Sequence, residues 1–338
     1  MKNKNNSRVF RVNTPSRSYD VTFWRGGLAH AGEVFDLNRK VLVVTDDGVP
    51  SVYANTVAGC CADATVCTLP AGENSKSFDG LQTLLAAMQK NLFDRHSCVV
   101  AVGGGMVGDL AGFAASVYMR GIDFYNIPTT TLSQIDSSVG GKTAINFGGI
   151  KNNIGAFYQP CGVLIDYVLT ATQDRRQFAS GLVEAVKMGC IYDKELFDRF
   201  LQPQPDIEQI IYTGVCHKAE IVEKDETEQG LRKILNFGHT IGHGYEAVSG
   251  KTDLPLTHGE SVALGMLAMA DKELKEKLTQ IFNNLGLPTT CNLDKEQVLA
   301  AVMLDKKKKG DTIDAVLVKE LGSAQTVPLS LLQLKEKI

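Results

Sequence analysis

The sequence predicts an α/β half built on a parallel sheet, followed by a mainly α-helical half, and three observations carry that prediction. Short β-rich runs alternate with helical stretches up to about residue 169. Beyond that point β-rich runs become sparse while apolar residues keep a helical spacing. Between them in the first half, a glycine-rich loop joins a buried-type strand to an apolar helix.

The elements follow in order. KVLVVTDD at 40–47 reads as a strand, Ser77 to Asn91 as a helix and SCVVAVGGG at 97–105 as a second strand leading into the helix DLAGFAASVYMR. FYNIPTTT at 124–131 and GVLIDYVL at 162–169 are the last β-rich runs, which puts a boundary near Leu169–Thr172. After it, FASGLVEAVKMGCIYD, IEQIIYTGVCHKAEIVEKDE, ESVALGMLAMADKELKEKLTQIFNNL and KEQVLAAVMLDKKKK read as helices. QPQPD at 202–206 punctuates them, because proline fixes the backbone and removes a donor. A chain of 338 residues with 44% hydrophobic content exceeds the usual size of one core, so two domains are expected, 1–170 and 171–338.

Composition narrows the function classes. Lys and Arg number 35 against 38 Asp and Glu, a net charge of -3, which offers no global attraction to nucleic acid or an anionic membrane. Any anion site must be local. Eight cysteines without a C-x-x-C pair argue against a zinc ribbon or a redox motif and read as reduced thiols. The polar N-terminus MKNKNNSRVF and the lack of a membrane-length apolar run lead to the expectation of a soluble, cytoplasmic protein.

Gly103, Gly105 and Gly108 form G-x-G-x-x-G in the strand-to-helix context where backbone N–H groups can cradle a pyrophosphate. A plain glycine-rich turn is the competing reading, since no ribose-binding acid follows at the usual distance. Asp46 leaves the first of these strands, and Glu73 and Lys76 lie in PAGENSK at 70–76; ligands of open α/β sheets bind outside such strand ends.

Three of the six histidines, His239, His243 and His258, fall in one short window of the helical half. His239 and His243 are four apart and share a helical face, so spacing alone favours them as a metal-ligand pair, with His258 a further candidate and capping or core roles the alternative. Glu184 and Lys187 are three apart and on spacing alone read as an exposed intrahelical salt bridge. Around these motifs stand Arg120, Lys142, Lys151, Lys187, Lys218 and Arg232, a set of cations suited to a small polyanion beside a metal. The KKKK run at 306–309 reads as a solvated patch.

Taken together, GGGMVGDLAGFAASVYMRG, IPTTTLSQIDSSVGGKTAIN, IKNNIGAFYQP, FASGLVEAVKMG, HKAEIVEKDETEQGLRKILNFGHTIGH and HGESVALGM resemble the 3-dehydroquinate synthase family of sugar-phosphate cyclases, in family order from about residue 40 to 310. The resemblance implies a Rossmann-like dinucleotide-binding α/β domain and a helical metal-binding domain, with the active site in the cleft between them. It implies Zn2+ or Co2+ on Glu184, His239 and His258, with His243 turned to substrate. NAD would lie along Asp46, Glu73, Asn74, Lys76, Gly104, Gly105, Met106, Val107, Gly108, Asp109, Thr129, Thr130, Lys142, Lys151, Leu169, Thr170, Ala171 and Thr172. A phosphorylated seven-carbon keto-acid sugar would meet Asp136, Lys142, Asn152, Lys187, Lys218, Arg232, Asn236 and His243. Arg120 matches a position that reaches the phosphate across a homodimer interface, and Lys306 or Lys307 would join the site.

The implied reaction is transient oxidation by NAD, phosphate elimination, re-reduction, ring opening and aldol closure, a step of aromatic amino acid biosynthesis. Two departures stand out. Gly48 replaces a frequent Asn, and TQDRRQ at 172–177 replaces T-L-P-x-R-E. The rival readings are a sister cyclase, a metal-dependent polyol dehydrogenase and a catalytically inert nucleotide-binding protein.

Overall fold

The computed structural model describes residues 7–305 and 312–338, so Lys306 and Lys307 lie outside the described residues. The chain forms two compact units, one of Met1–Gln173 with Lys218–Thr227 and one of Asp174–His217 with Glu228–Ile338.

In the first unit the strands are β1 (Ser7–Asn13), β2 (Ser18–Trp24), β3 (Lys40–Asp46), β4 (Asp63–Leu69), β5 (Cys98–Gly103), β6 (Asp123–Pro128), β7 (Lys142–Phe147), β8 (Ile150–Phe157) and β9 (Gly162–Ile165). Its helices are α1 (Ala31–Val34), α2 (Ser51–Ala58), α3 (Phe78–Lys90) and α4 (Gly105–Val117). Among the described residues seven strands form one sheet in the order β1-β2-β9-β6-β5-β3-β4, parallel except for the antiparallel pair β1/β2. Strand β5 is buried along its whole length, as a strand covered on both faces must be.

The period-two alternation sorts the core. Leu42, Val44, Val99 and Ala101 pack with Leu81, Leu84 and Met88 of α3 and Leu110 and Ala111 of α4. Val41, Val43, Val100 and Val102 pack on the other face with Ala54 and Val57 of α2. Strand β3 is flanked by β4 on one side and β5 on the other, so the chain order reverses there. The carboxyl ends of β3 and β5 therefore border a topological switch point, where an open α/β sheet leaves a ligand crevice. The hairpin β7/β8 stands outside the sheet, and neither it nor β1/β2 is legible in the sequence as alternating helix and strand.

In the second unit the helices are α5 (Arg175–Ile191), α6 (Lys194–Arg199), α7 (Ile207–Lys224, whose last residues count with the first unit), α8 (His239–Ser249), α9 (His258–Met269), α10 (Lys272–Leu285), α11 (Lys295–Asp305) and α12 (Leu331–Lys337). The stretch read as one helix from Glu260 onward breaks at Ala270, where the backbone is extended and Asp271 caps α10 by accepting from the Leu274 N–H. Strands β10 (Thr312–Glu320) and β11 (Ser323–Ser330) add an antiparallel pair to a half expected to be mainly helical.

Candidate metal centre and nucleotide-binding loop

The metal centre is built by three helices of the second unit that approach through glycine. A Cβ on Gly265 of α9 would stand 2.0 Å from the Gly238 carbonyl oxygen that precedes α8, and one on Gly259 of α9 would stand 2.0 Å from the Ser180 carbonyl oxygen of α5. Gly238 itself holds a φ of +79°, the left-handed region that glycine reaches without strain, and so serves as the N-cap of α8. Thr257 caps α9 in a reciprocal box with Glu260, which fixes His258 as its first helical residue.

These packings bring Glu184 of α5, His239 of α8 and His258 of α9 together, with one potential ligand atom from each lying within 4.8 Å of the others. Glu184 Oε1 lies 3.6 Å from His239 Nε2 and 3.7 Å from His258 Nε2, and Oε2 faces the Lys187 ammonium. The spacing-based expectation is corrected here. The His243 ring stands 5.5 Å from that of His239, yet His243 is outside the converging trio, while Glu184 belongs to it. Nor is the Glu184–Lys187 pair a surface salt bridge, since both side chains are 2% exposed. A period of three or four says which side chains share a helix face and not whether that face is covered.

Burial by itself raises the Glu184 carboxyl, but Lys187, His239 and His258 hold it well below the usual carboxylate range. Burial, then the Lys187 charge, drives His239 well below the usual imidazole value. Burial also lowers His258, but Glu184 and Glu246 outweigh it and carry that ring up to about 9. Glu184 Oε2 pairs with the Lys187 ammonium, but the buried Oε1 accepts no hydrogen bond, a cost that a cation held between it and the two imidazole nitrogens would relieve. One carboxylate and two imidazole nitrogens are a donor set for a divalent ion such as Zn2+ with an open position, so the residues fit a catalytic metal.

Lys187 beside this trio is 2% exposed; in the 3-10 turn before α8, Arg232 is 1% exposed and Asn236 Nδ2 donates to Glu228 Oε1 at 2.8 Å.

In the first unit, Gly104 caps α4 without a side chain, and Gly105, Met106, Val107 and Gly108 form its first turn, whose N–H groups face the end of β5. Glycine is needed at Gly103, where a Cβ would meet Val107 Cγ2 at 2.6 Å, and a Cβ on Gly108 would press on Asn126 Nδ2 at 3.1 Å. Thr129 N–H donates to the Gly103 carbonyl at 2.9 Å, tying the segment that carries Thr130 to this loop. Asp46 ends β3, buried, its Oδ1 accepting from the Gly48 N–H at 2.9 Å.

Lys76, 5% exposed, donates to Asp109 Oδ2 at 2.6 Å and to Asn152 Oδ1. Burial outweighs that ammonium and pushes the Asp109 carboxyl up to about 6. Glu73 accepts from Asn146 Nδ2 at 2.8 Å, with Asn74 exposed beside it. Lys142 and Lys151 are exposed on β7 and β8. Asp136 accepts from Lys218 Nζ at 2.6 Å. Leu169 to Thr172 lie in one 3-10 turn, where Leu169 and Thr170 are buried and Ala171 and Thr172 exposed. Val107 and Leu169 are core side chains, so their backbone is the part available to a ligand. Arg120 is exposed at a φ of +69°, away from the Lys76–Asp109–Asn152 cluster in hydrogen bonding.

Comparison with known proteins places this geometry in a lineage. The family model described as 3-dehydroquinate synthase N-terminal matches residues 66–180, and that described as 3-dehydroquinate synthase C-terminal matches residues 181–308. The 3-dehydroquinate synthase of Methylacidiphilum infernorum is 41% identical over 331 residues, which cover 92% of this chain and 92% of the relative. That of Thermodesulfovibrio yellowstonii is 38% identical over 338 residues, covering 92% and 94%. The chain belongs to the 3-dehydroquinate synthase family.

Among solved structures, 2-epi-5-epi-valiolone synthase from Streptomyces hygroscopicus subsp. jinggangensis 5008, with NAD+ and Zn2+ bound, is similar at a TM-score of 0.85 and 26% identity, covering 97% of this chain and 98% of that one. A probable glycerol dehydrogenase from Sinorhizobium meliloti 1021 shares the fold at a TM-score of 0.65 and 16% identity, covering 94% of each chain. Family membership with a fold common to cyclases and dehydrogenases leaves the sequence relatives to decide between them. One residue beside the metal trio was not singled out by spacing. Glu246 lies seven residues after His239 on α8, and the i, i+4, i+7 series His239, His243, Glu246 was the available signal.

Proposed function

We propose that the protein is a 3-dehydroquinate synthase that converts 3-deoxy-D-arabino-heptulosonate 7-phosphate to 3-dehydroquinate and phosphate, acting as a cytoplasmic homodimer. The observation that carries the reading is the buried Glu184 carboxylate, whose Oε2 pairs with the Lys187 ammonium and whose Oε1, without a hydrogen bond, is faced by two imidazole Nε2 atoms, in a chain of this family. Its two domains are assigned as an NAD-binding domain, 1–170, and a helical metal- and substrate-binding domain, 171–338.

When bound, Zn2+ or Co2+ acidifies a substrate hydroxyl and NAD takes up and returns a hydride. The chain's own residues bind and orient. Gly104 to Asp109, with Asp46, Glu73, Asn74, Lys76, Thr129, Thr130, Lys142, Lys151 and 169–172, hold the dinucleotide, its pyrophosphate on the first turn of α4. Lys187, Arg232, Asn236, His243, Asp136, Lys142, Asn152 and Lys218 hold substrate, with Arg120 reaching a partner's phosphate. The guanidinium offers a planar fork to a carboxylate or phosphate, and the lysines supply point charges. Elimination of phosphate leaves its negative charge among these cations, which lowers the barrier most if they strengthen their hold as that charge develops.

The sister cyclases and the dehydrogenases differ in what they release. Purified protein incubated with the substrate, NAD and Zn2+ or Co2+ is expected to release phosphate in step with dehydroquinate while NADH absorbance stays flat. Steady accumulation of NADH without phosphate would sink the proposal.

A further inference from the structure

Both candidate ligand histidines are held by Nδ1, but by different partners. His239 Nδ1 lies 3.2 Å from the Phe237 carbonyl oxygen, while His258 Nδ1 lies 3.2 Å from Glu246 Oε2. The opposite ring nitrogens, both Nε2, lie 3.6 and 3.7 Å from the same oxygen, Glu184 Oε1. A carbonyl or carboxylate oxygen only accepts, so each ring carries its proton on Nδ1 when neutral and leaves the Nε2 lone pair turned to the centre. The carboxylate is the stronger acceptor, and it draws on the Nδ1–H in a way that makes Nε2 a better donor.

Glu246 is 19% exposed and His258 33% exposed, so the contact is largely shielded from water. It is also rigidly framed. Glu246 projects from the last turns of α8, His258 opens α9, and these two helices touch backbone to backbone at Gly238 and Gly265.

We propose that Glu246 is a positioning residue of the metal centre, its carboxylate fixing the Nδ1–H tautomer and ring plane of His258 so that Nε2 is presented to the ion. The inference rests on the reading of Glu184, His239 and His258 as metal ligands. Glu246 lies outside the converging trio and acts through His258.

The test uses the full chain stripped of metal, titrated with Zn2+ against a chromogenic chelator, as wild type, Glu246→Ala, Glu246→Gln and His258→Ala. Glu246→Ala is expected to weaken Zn2+ binding about 10–100-fold, the range for loss of a histidine's outer partner. Glu246→Gln keeps an acceptor oxygen without the charge and should recover part of that loss. In the Zn2+-loaded protein the His258 Nδ1–H proton should be resolved by NMR in wild type and Glu246→Gln and lost to exchange in Glu246→Ala. A merely structural role would lower melting temperature without touching that resonance. Wild-type Zn2+ affinity in Glu246→Ala, while His258→Ala loses the ion, overturns this inference alone. Failure of wild type to bind Zn2+ overturns it together with the metal reading. Should Glu246→Ala fail to fold, Glu246→Gln decides: unchanged affinity and an unchanged resonance count against the proposal, weakened affinity supports it.

Discussion

At the scale of single residues, Lys187 and Glu184 depend on each other because both are buried. Removing one partner of such a pair leaves an uncompensated charge, at a cost of about 3–5 kcal/mol. Lys187→Met is therefore expected to destabilise the metal-free protein by about that much in urea unfolding, and saturating Zn2+ should return part of it by neutralising Glu184. An unchanged midpoint without metal would show that the pair is not desolvated. Asp109 makes a pH prediction of definite sign. Burial pushes its folded-state carboxyl up to about 6, against about 3.9 in an unfolded chain. Between those values the folded state keeps a proton that the unfolded state has released, so stability falls as pH rises through the window and stays at the lower level above it. Asp109→Asn should flatten that slope, and a slope that survives the substitution would assign it to another group.

At the scale of elements, the metal centre depends on how closely α5, α8 and α9 approach. At Gly265 a side chain would meet backbone, the Gly238 oxygen at 2.0 Å and the Gly242 nitrogen at 2.8 Å, and backbone cannot rotate away as a flexible side chain can. Gly265→Ala is expected to force α8 and α9 apart, destabilise the protein by about 1–3 kcal/mol and weaken Zn2+ binding through displaced His239 and His258. Gly250→Ala, at a φ of -59° and with its nearest would-be contact at 3.3 Å, is the control that should leave both measurements unchanged. Equal Zn2+ affinity in the two variants would mean that the helix approach does not set the ligand geometry.

At the scale of the whole molecule, the homodimer reading is open to a complementation test. If Arg120 serves the partner's site, mixing inactive Arg120→Ala and Lys187→Met chains under exchange restores one working site per mixed dimer, or about a quarter of wild-type activity on statistical mixing. No recovery would place Arg120 in its own chain's site, and wild-type activity of Arg120→Ala alone would place it in none. The described residues contain no helix long and apolar enough to cross a membrane.

Much of this was legible in the linear sequence, for reasons that are local. The buried strands β3 and β5 announce themselves as unbroken apolar runs, α3 by its helical spacing, and the strand-to-helix loop by its glycines, whereas α9 and α10 ran together because the break at Ala270 leaves the apolar spacing intact. Strands of mixed character, such as β10 and β11, lack such a period and were assigned no element in the linear sequence. The histidine cluster was visible as well, but its membership was not: spacing paired His239 with His243, and only the resemblance to a family replaced that partner with Glu184 and His258. Composition and order along the chain thus determined the two-part α/β and helical plan, a set of cations spread over both parts and a histidine cluster in the helical one. Which atoms meet, that Glu184 and Lys187 are buried together, and that Glu246 stands behind His258 were decided by the tertiary structure alone. Those facts depend on helices distant in sequence packing through glycine, and burial and hydrogen bonding are properties of that packing, not of any one segment.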